Sequence, residues 1–121
     1  MKDWIVLGSC LMAFAVAIGA FGAHGLKSKV SNEDLIIFET GVRYQIYHSL
    51  ALIILGLMTY TIPNLKLSII GYLFTSGILL FSGSLYILVL TNLRWFGAIT
   101  PFGGLCFIFG WILFAIKVFK S

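Results

Sequence analysis

Four long apolar runs separated by short polar gaps set the pattern of this chain. They cover about residues 4–23, 45–62, 67–90 and 100–119. Each is close to the roughly 20 residues that a helix needs to cross a hydrocarbon core of about 30 Å. In the first run Ala15, Gly19 and Ala23 recur at i, i+4 and i+8, a small-residue stripe that predicts close helix contact and a place inside the bundle. Gly77, Gly83 and Gly110 are further expected packing positions. In the third run Ser68, Thr75 and Ser82 stand seven apart, as left-handed packing favours.

The polar gaps carry the helix ends. Ser31 followed by Asp34 fits a capping pattern ahead of a helical signal that continues to Ile62. At 1.5 Å per residue that helix is about 45 Å long, more than a bilayer core needs. Its first half is therefore expected to be an interfacial helical segment ahead of the second span. In that segment Glu39 and Arg43 stand one turn apart and are expected to pair, while Tyr44 and Tyr47 suit the headgroup level. Thr100 is expected to cap the last span, with Pro101 at its first helical position.

Composition agrees with a membrane setting. Of 121 residues 60% are hydrophobic and 10% charged, and the mean hydropathy is +1.07. Charged residues make up about a quarter of a soluble domain. The expected fold is a single all-α domain, an integral membrane four-helix bundle. The net charge of +4 comes from Lys and Arg scattered through the gaps, which argues against nucleic acid as a partner. Lys2 before an apolar run, with Ala13 and Ala15 at cleavage spacing, imitates a secretory leader, yet the expectation is a retained span. Cys10 and Cys106 fall inside separate runs and are expected to be packing residues.

Four spans put both chain ends on one side. Lys2, Lys66, Lys117 and Lys120 lie there, against Lys27, Lys29, Arg43 and Arg94 opposite, so cation count does not decide orientation. Most acids lie opposite the chain ends, which favours cytoplasmic termini in the cell membrane. The side opposite the termini also collects the candidate chemistry: His24, Arg43, Tyr44, Gln45, His48, Arg94, Thr100, Gly103 and Gly104. His48 is expected about one turn inside the second span, where an ionisable group faces protein or water.

Three functional classes follow from that face. The start of the last span, near Arg94, offers free N–H groups and a positive dipole end to a lipid phosphate or small anion. This supports a non-enzymatic protein that binds at the membrane surface, whose partners are lipids, another membrane protein or a second copy. A small transporter or channel subunit would instead need a polar lining, and the third and fourth runs offer only Ser and Thr. A haem or metal site would have only His24 and His48 as ligands, so no cofactor is expected. No nucleophile, triad, P-loop or paired carboxylate stands out, and catalytic residues are not expected.

GAFGAHGLK at 19–27, TGVRYQIYHSLAL at 40–52, FSGSLYILVLT at 81–91 and ITPFGGLCFIFGW at 99–111 together resemble the domain of unknown function 423 family. These are small multi-pass membrane proteins of bacteria with a similar eukaryotic transmembrane protein. The resemblance implies a four-helix membrane fold with emphasis on Gly22, His24, Gly25, Tyr44, Gln45, His48, Gly83, Tyr86, Thr100, Pro101, Gly103, Gly104 and Trp111. One member carries the label of membrane-stabilising protein, which implies a role in membrane integrity.

Overall fold

The structure, a computed structural model describing residues 2–121, is all helix and turn. Helix α1 spans Lys2–Gly25 and α2 spans Asn32–Thr61. A third long helix is built from α3 (Ser68–Gly77), a π-helical turn (Ile78–Ser82) and α4 (Gly83–Thr91). A 3₁₀ turn (Arg94–Ala98) then leads into α5 (Thr100–Lys120). Among the described residues three helical stretches are long and apolar enough to cross a membrane: Lys2–Gly25, Ser68–Thr91 and Arg94–Lys120. Large apolar side chains are exposed on all of them, as lipid-facing surfaces require.

The start of α2 follows the sequence pattern, with Ser31 Oγ accepting from the Asp34 backbone N–H at 3.1 Å. Helix α4 stops at Asn92, whose φ of 59° is a left-handed conformation that asparagine tolerates better than most residues. The expected cap at Thr100 is not made: its hydroxyl lies 2.6 Å from Ser84 Oγ on α4 instead. The chain already turns through the 3₁₀ segment before Thr100, so no sharp helix start remains there to be capped.

Helices α1 and α2 run antiparallel and touch through glycine. A side chain at Gly8 would collide with the Ser49 carbonyl, one at Gly22 with the Phe38 ring, and one at Gly56 with Ile5. The buried residues of α1 are Gly8, Ala15 and Gly22, seven apart, so the seam follows a heptad. The stripe expected at Ala15, Gly19 and Ala23 is therefore only partly used: Gly19 approaches Val42, but Ala23 is exposed. A spacing of four drifts around the helix, whereas a spacing of seven stays on the partner. Nor does α1 lie inside the bundle. Only 17% of its apolar stretch is buried, against 44% for the third long helix.

The register also moves α2 relative to expectation. Phe38 and Val42 sit beside Gly22 and Gly19, within the apolar run of α1. From Phe38 onwards the segment expected at the interface thus lies alongside α1, and α2, with 30 residues, is longer than α1, with 24. Glu39 and Arg43 do not pair; among the described residues the ion pair is between Asp34 and Arg94.

On the other flank α5 packs along the third long helix. At Gly103 a Cβ would strike the backbone N of Phe81 and lie 2.8 Å from the Leu80 carbonyl carbon, so α5 can meet the π turn only through glycine. Gly77 and Gly110 admit the rings of Phe107 and Phe74, while a side chain at Gly83 would meet nothing. Two apolar clusters result. One joins Leu52, Leu55, Ile70, Phe74 and Phe107, and the other joins Leu26, Phe38, Val42, Leu88 and Val89.

Candidate functional site

Between those clusters α2 carries Gln45, His48 and Ser49, all buried. Gln45 is a bridge. Its Nε2 donates to the Leu11 carbonyl of α1 at 2.8 Å, and its Oε1 accepts from the Tyr86 hydroxyl of α4 at 2.6 Å. Ser82, in the π turn, donates to the Gly41 carbonyl at 2.6 Å. Such bonds count heavily where no water competes.

His48 points the other way, towards α5. Its ring stacks on Phe107 with centroids 3.5 Å apart and 8° between planes, and Phe74 meets it edge-on. Trp111 Nε1 lies 2.9 Å from His48 Nε2, and His48 Nδ1 lies 2.8 Å from the Tyr44 carbonyl. An indole N–H only donates and a carbonyl only accepts, which fixes the tautomer. Nε2 accepts, Nδ1 carries the proton, and the imidazole is neutral with both nitrogens used. Tyr44, His48, Phe81, Gly104, Phe107, Ile108 and Trp111 line an open cleft of about 350 Å³, so the cleft presents ring faces instead of a free imidazole nitrogen.

The expected polar face does not assemble as one site. Gly22 meets Phe38 while Gly8 meets Ser49, so His24 and His48 are separated by about 14 residues of α1, roughly 20 Å along the axis. They cannot share a metal or haem iron. His24 is exposed at the end of α1, and among the described residues no cluster of three or more His, Cys, Asp or Glu side chains has metal-binding geometry. Arg43 is exposed and lines a groove with Gly19 and Glu39.

Arg94 is also committed. Its two terminal nitrogens reach the two carboxylate oxygens of Asp34 at 2.9 and 2.8 Å, a bidentate pair across 60 residues. The bonded guanidinium holds the Asp34 carboxyl below its usual 3.8. The topology that brought Arg94 to this side brings Asp34 with it, and the sequence signal lay in that shared location. The expected anion site at the start of α5 therefore has its charge internally neutralised and its Thr100 hydroxyl shared with Ser84.

A second recess lies at the opposite end, by the termini. Ile62, Pro63, Leu65, Leu113 and Ile116 form its apolar walls, and Lys66, Lys117 and Lys120 stand around it, enclosing about 650 Å³. Lys117 Nζ donates to the Lys66 carbonyl at 2.7 Å and ties α5 to the turn after α2.

Fold and interior define an all-α membrane protein whose polar groups join helices. The chain belongs to the family described as Protein of unknown function (DUF423), which matches residues 18–104. It is 48% identical over 120 residues to a UPF0382 membrane protein of Staphylococcus aureus (strain bovine RF122 / ET3-1), covering 99% of this chain and 98% of the relative. A UPF0382 membrane protein of Staphylococcus haemolyticus (strain JCSC1435) is likewise 48% identical over 120 residues, with the same coverage. UPF0382 membrane protein YwdK of Bacillus subtilis (strain 168) is 42% identical over 121 residues, covering 99% of this chain and 98% of that one. No solved structure matches the chain.

Proposed function

We propose that this is a four-span, non-enzymatic protein of the cell membrane that supports membrane integrity by binding lipid, with its termini in the cytoplasm. Helix α2 is the fourth crossing element. Its antiparallel register with α1 carries it from Phe38 beside Gly22 to Gly56 beside Ile5, over the same depth as an apolar span. The residues before Phe38, including the Ser31 cap and Asp34, form the interfacial end.

One observation carries the functional reading: the interior is spent on itself. Among the described residues no buried side-chain nitrogen or oxygen lacks a hydrogen bond. Gln45, His48, Ser82 and Tyr86 hold helices together, which suits a rigid membrane element better than a proton relay or a polar conduit. The chemistry left over is at the surface, where amphipathic lipids are the abundant ligand.

The test combines two measurements. Cells lacking the protein are expected to release more of a trapped dye under osmotic stress, with recovery on re-expression. Purified protein in liposomes is expected to pass no protons, ions or small anions. Unchanged leakage without the protein would remove the integrity role, and a specific flux would replace it with transport.

A further inference from the structure

We infer that the recess between the α2–α3 turn and the end of α5 is a headgroup site for an anionic phospholipid. The inference rests on the four-span reading above and gives it a ligand and a place. Three cations converge from two parts of the chain, Lys66 from the turn and Lys117 and Lys120 from α5, and no Asp or Glu lines the recess. The opposing charges are the partial negative ends of α2 and α5, about half a charge each, and one carboxylate if the chain end at Ser121 is free. Three ammonium groups outweigh these together, leaving the recess cationic.

The walls are apolar. On α5, Leu113 and Ile116 precede Lys117 and Lys120 by about one turn and so lie on their bilayer side, while Ile62 and Leu65 add apolar wall from the turn. That vertical order, cations above hydrocarbon, is the order of a phospholipid, whose phosphate sits over its acyl chains. A soluble anion would gain from the lysines but leave the apolar walls in contact with water. The bond from Lys117 to the Lys66 carbonyl fixes one ammonium at the rim, so part of the ordering cost is met before a ligand arrives. Lys66 and Lys120 are exposed, and neither ammonium is held by an acid, so both are free to meet a phosphate. Basic recesses between spans on the cytoplasmic side have this chemistry for anionic headgroups.

The groove lined by Gly19, Glu39 and Arg43 is a poorer candidate for a lipid phosphate, because an acid stands beside its cation. The aromatic cleft at His48 offers no charge to a headgroup.

The experiment is native mass spectrometry of full-length protein from nanodiscs of phosphatidylglycerol mixed with phosphatidylcholine. Wild type is set beside Lys66→Gln/Lys120→Gln and Lys66→Arg/Lys120→Arg variants. Lys117 is left intact because it holds the turn. Wild type is expected to retain phosphatidylglycerol in preference to phosphatidylcholine. The glutamine variant should retain about tenfold less, and the arginine variant should keep the preference. Equal retention by wild type and the glutamine variant, or equal retention of the two lipids, would overturn this site while leaving lipid binding elsewhere intact. Absence of any retained lipid from wild type would overturn the lipid reading itself. A co-purifying protein lost only from the glutamine variant would replace the lipid with a protein partner.

Discussion

Adjacent glycines at positions 103 and 104 play different parts. A methyl group on Gly103 would meet the backbone of Phe81 and Leu80, which cannot swing aside as a side chain can. At Gly104 the nearest atom to an added methyl is on the Phe81 ring at 3.9 Å, an ordinary contact. Gly103→Ala should therefore cost about 1–3 kcal/mol through forced separation of α5 from the π turn. Gly104→Ala should be near neutral. Thermal unfolding in detergent checks both, and equal effects would deny the backbone contact. The sequence marked both glycines but could not rank them, because the difference lies in a π turn whose wider helical geometry leaves no residue signature. His48 was similarly marked without its role. Its Trp111 partner is 63 residues away, and the stacking of Phe107 on it depends on how α5 rotates about its axis.

At the level of elements, Asp34 joins the first turn of α2 to the turn before α5. Asp34 is lowered in the folded protein, so its contribution to stability is present above the unfolded value near 3.8. It disappears as pH falls through the lower folded value, when protonation removes the partner of Arg94. The unfolding temperature of wild type is expected to hold down to about pH 4 and then drop on further acidification. Asp34→Asn should lower stability at pH 7 and flatten that acid limb. Parallel acid limbs in both proteins would assign the dependence to other carboxylates. The helices themselves were legible as apolar runs, and Ser31 as a cap, since both are local. The pairing of Asp34 with Arg94 was not, because a nearby alternative, Glu39 with Arg43, satisfied the one-turn rule on paper. In the fold the longer-range pair has the better geometry: both guanidinium nitrogens meet both carboxylate oxygens.

For the whole molecule, register decides what a hydropathy pattern cannot. The apolar runs predicted four spans with the second from about residue 45, and Glu39 and Arg43 lower the hydropathy of α2 in the stretch where Phe38 and Val42 pack beside α1. The same folded arrangement bears on orientation. Lys and Arg are equally divided between the two sides, yet they are not equally free. Arg94 is bound by Asp34, and Glu33 and Glu39 lie on that side too, whereas the side of the termini has four lysines and Asp3 as its acid. An anionic inner leaflet attracts free surface cations by about 1 kcal/mol each, which supports the proposed orientation with the termini inside. Cys10 and Cys106 are free thiols and can be replaced by alanine to give a background for labelling. In that background Ser28→Cys is expected to react with a membrane-impermeant maleimide in intact cells. Ser121→Cys should react only after permeabilisation. The reverse pattern would put the lysine recess on the outer surface, where the lipid it meets would be that of the other leaflet. Labelling of both positions in intact cells would mean an odd number of crossings, leaving α2 as the helix to reassign, since it alone among the long helices falls outside the apolar candidates.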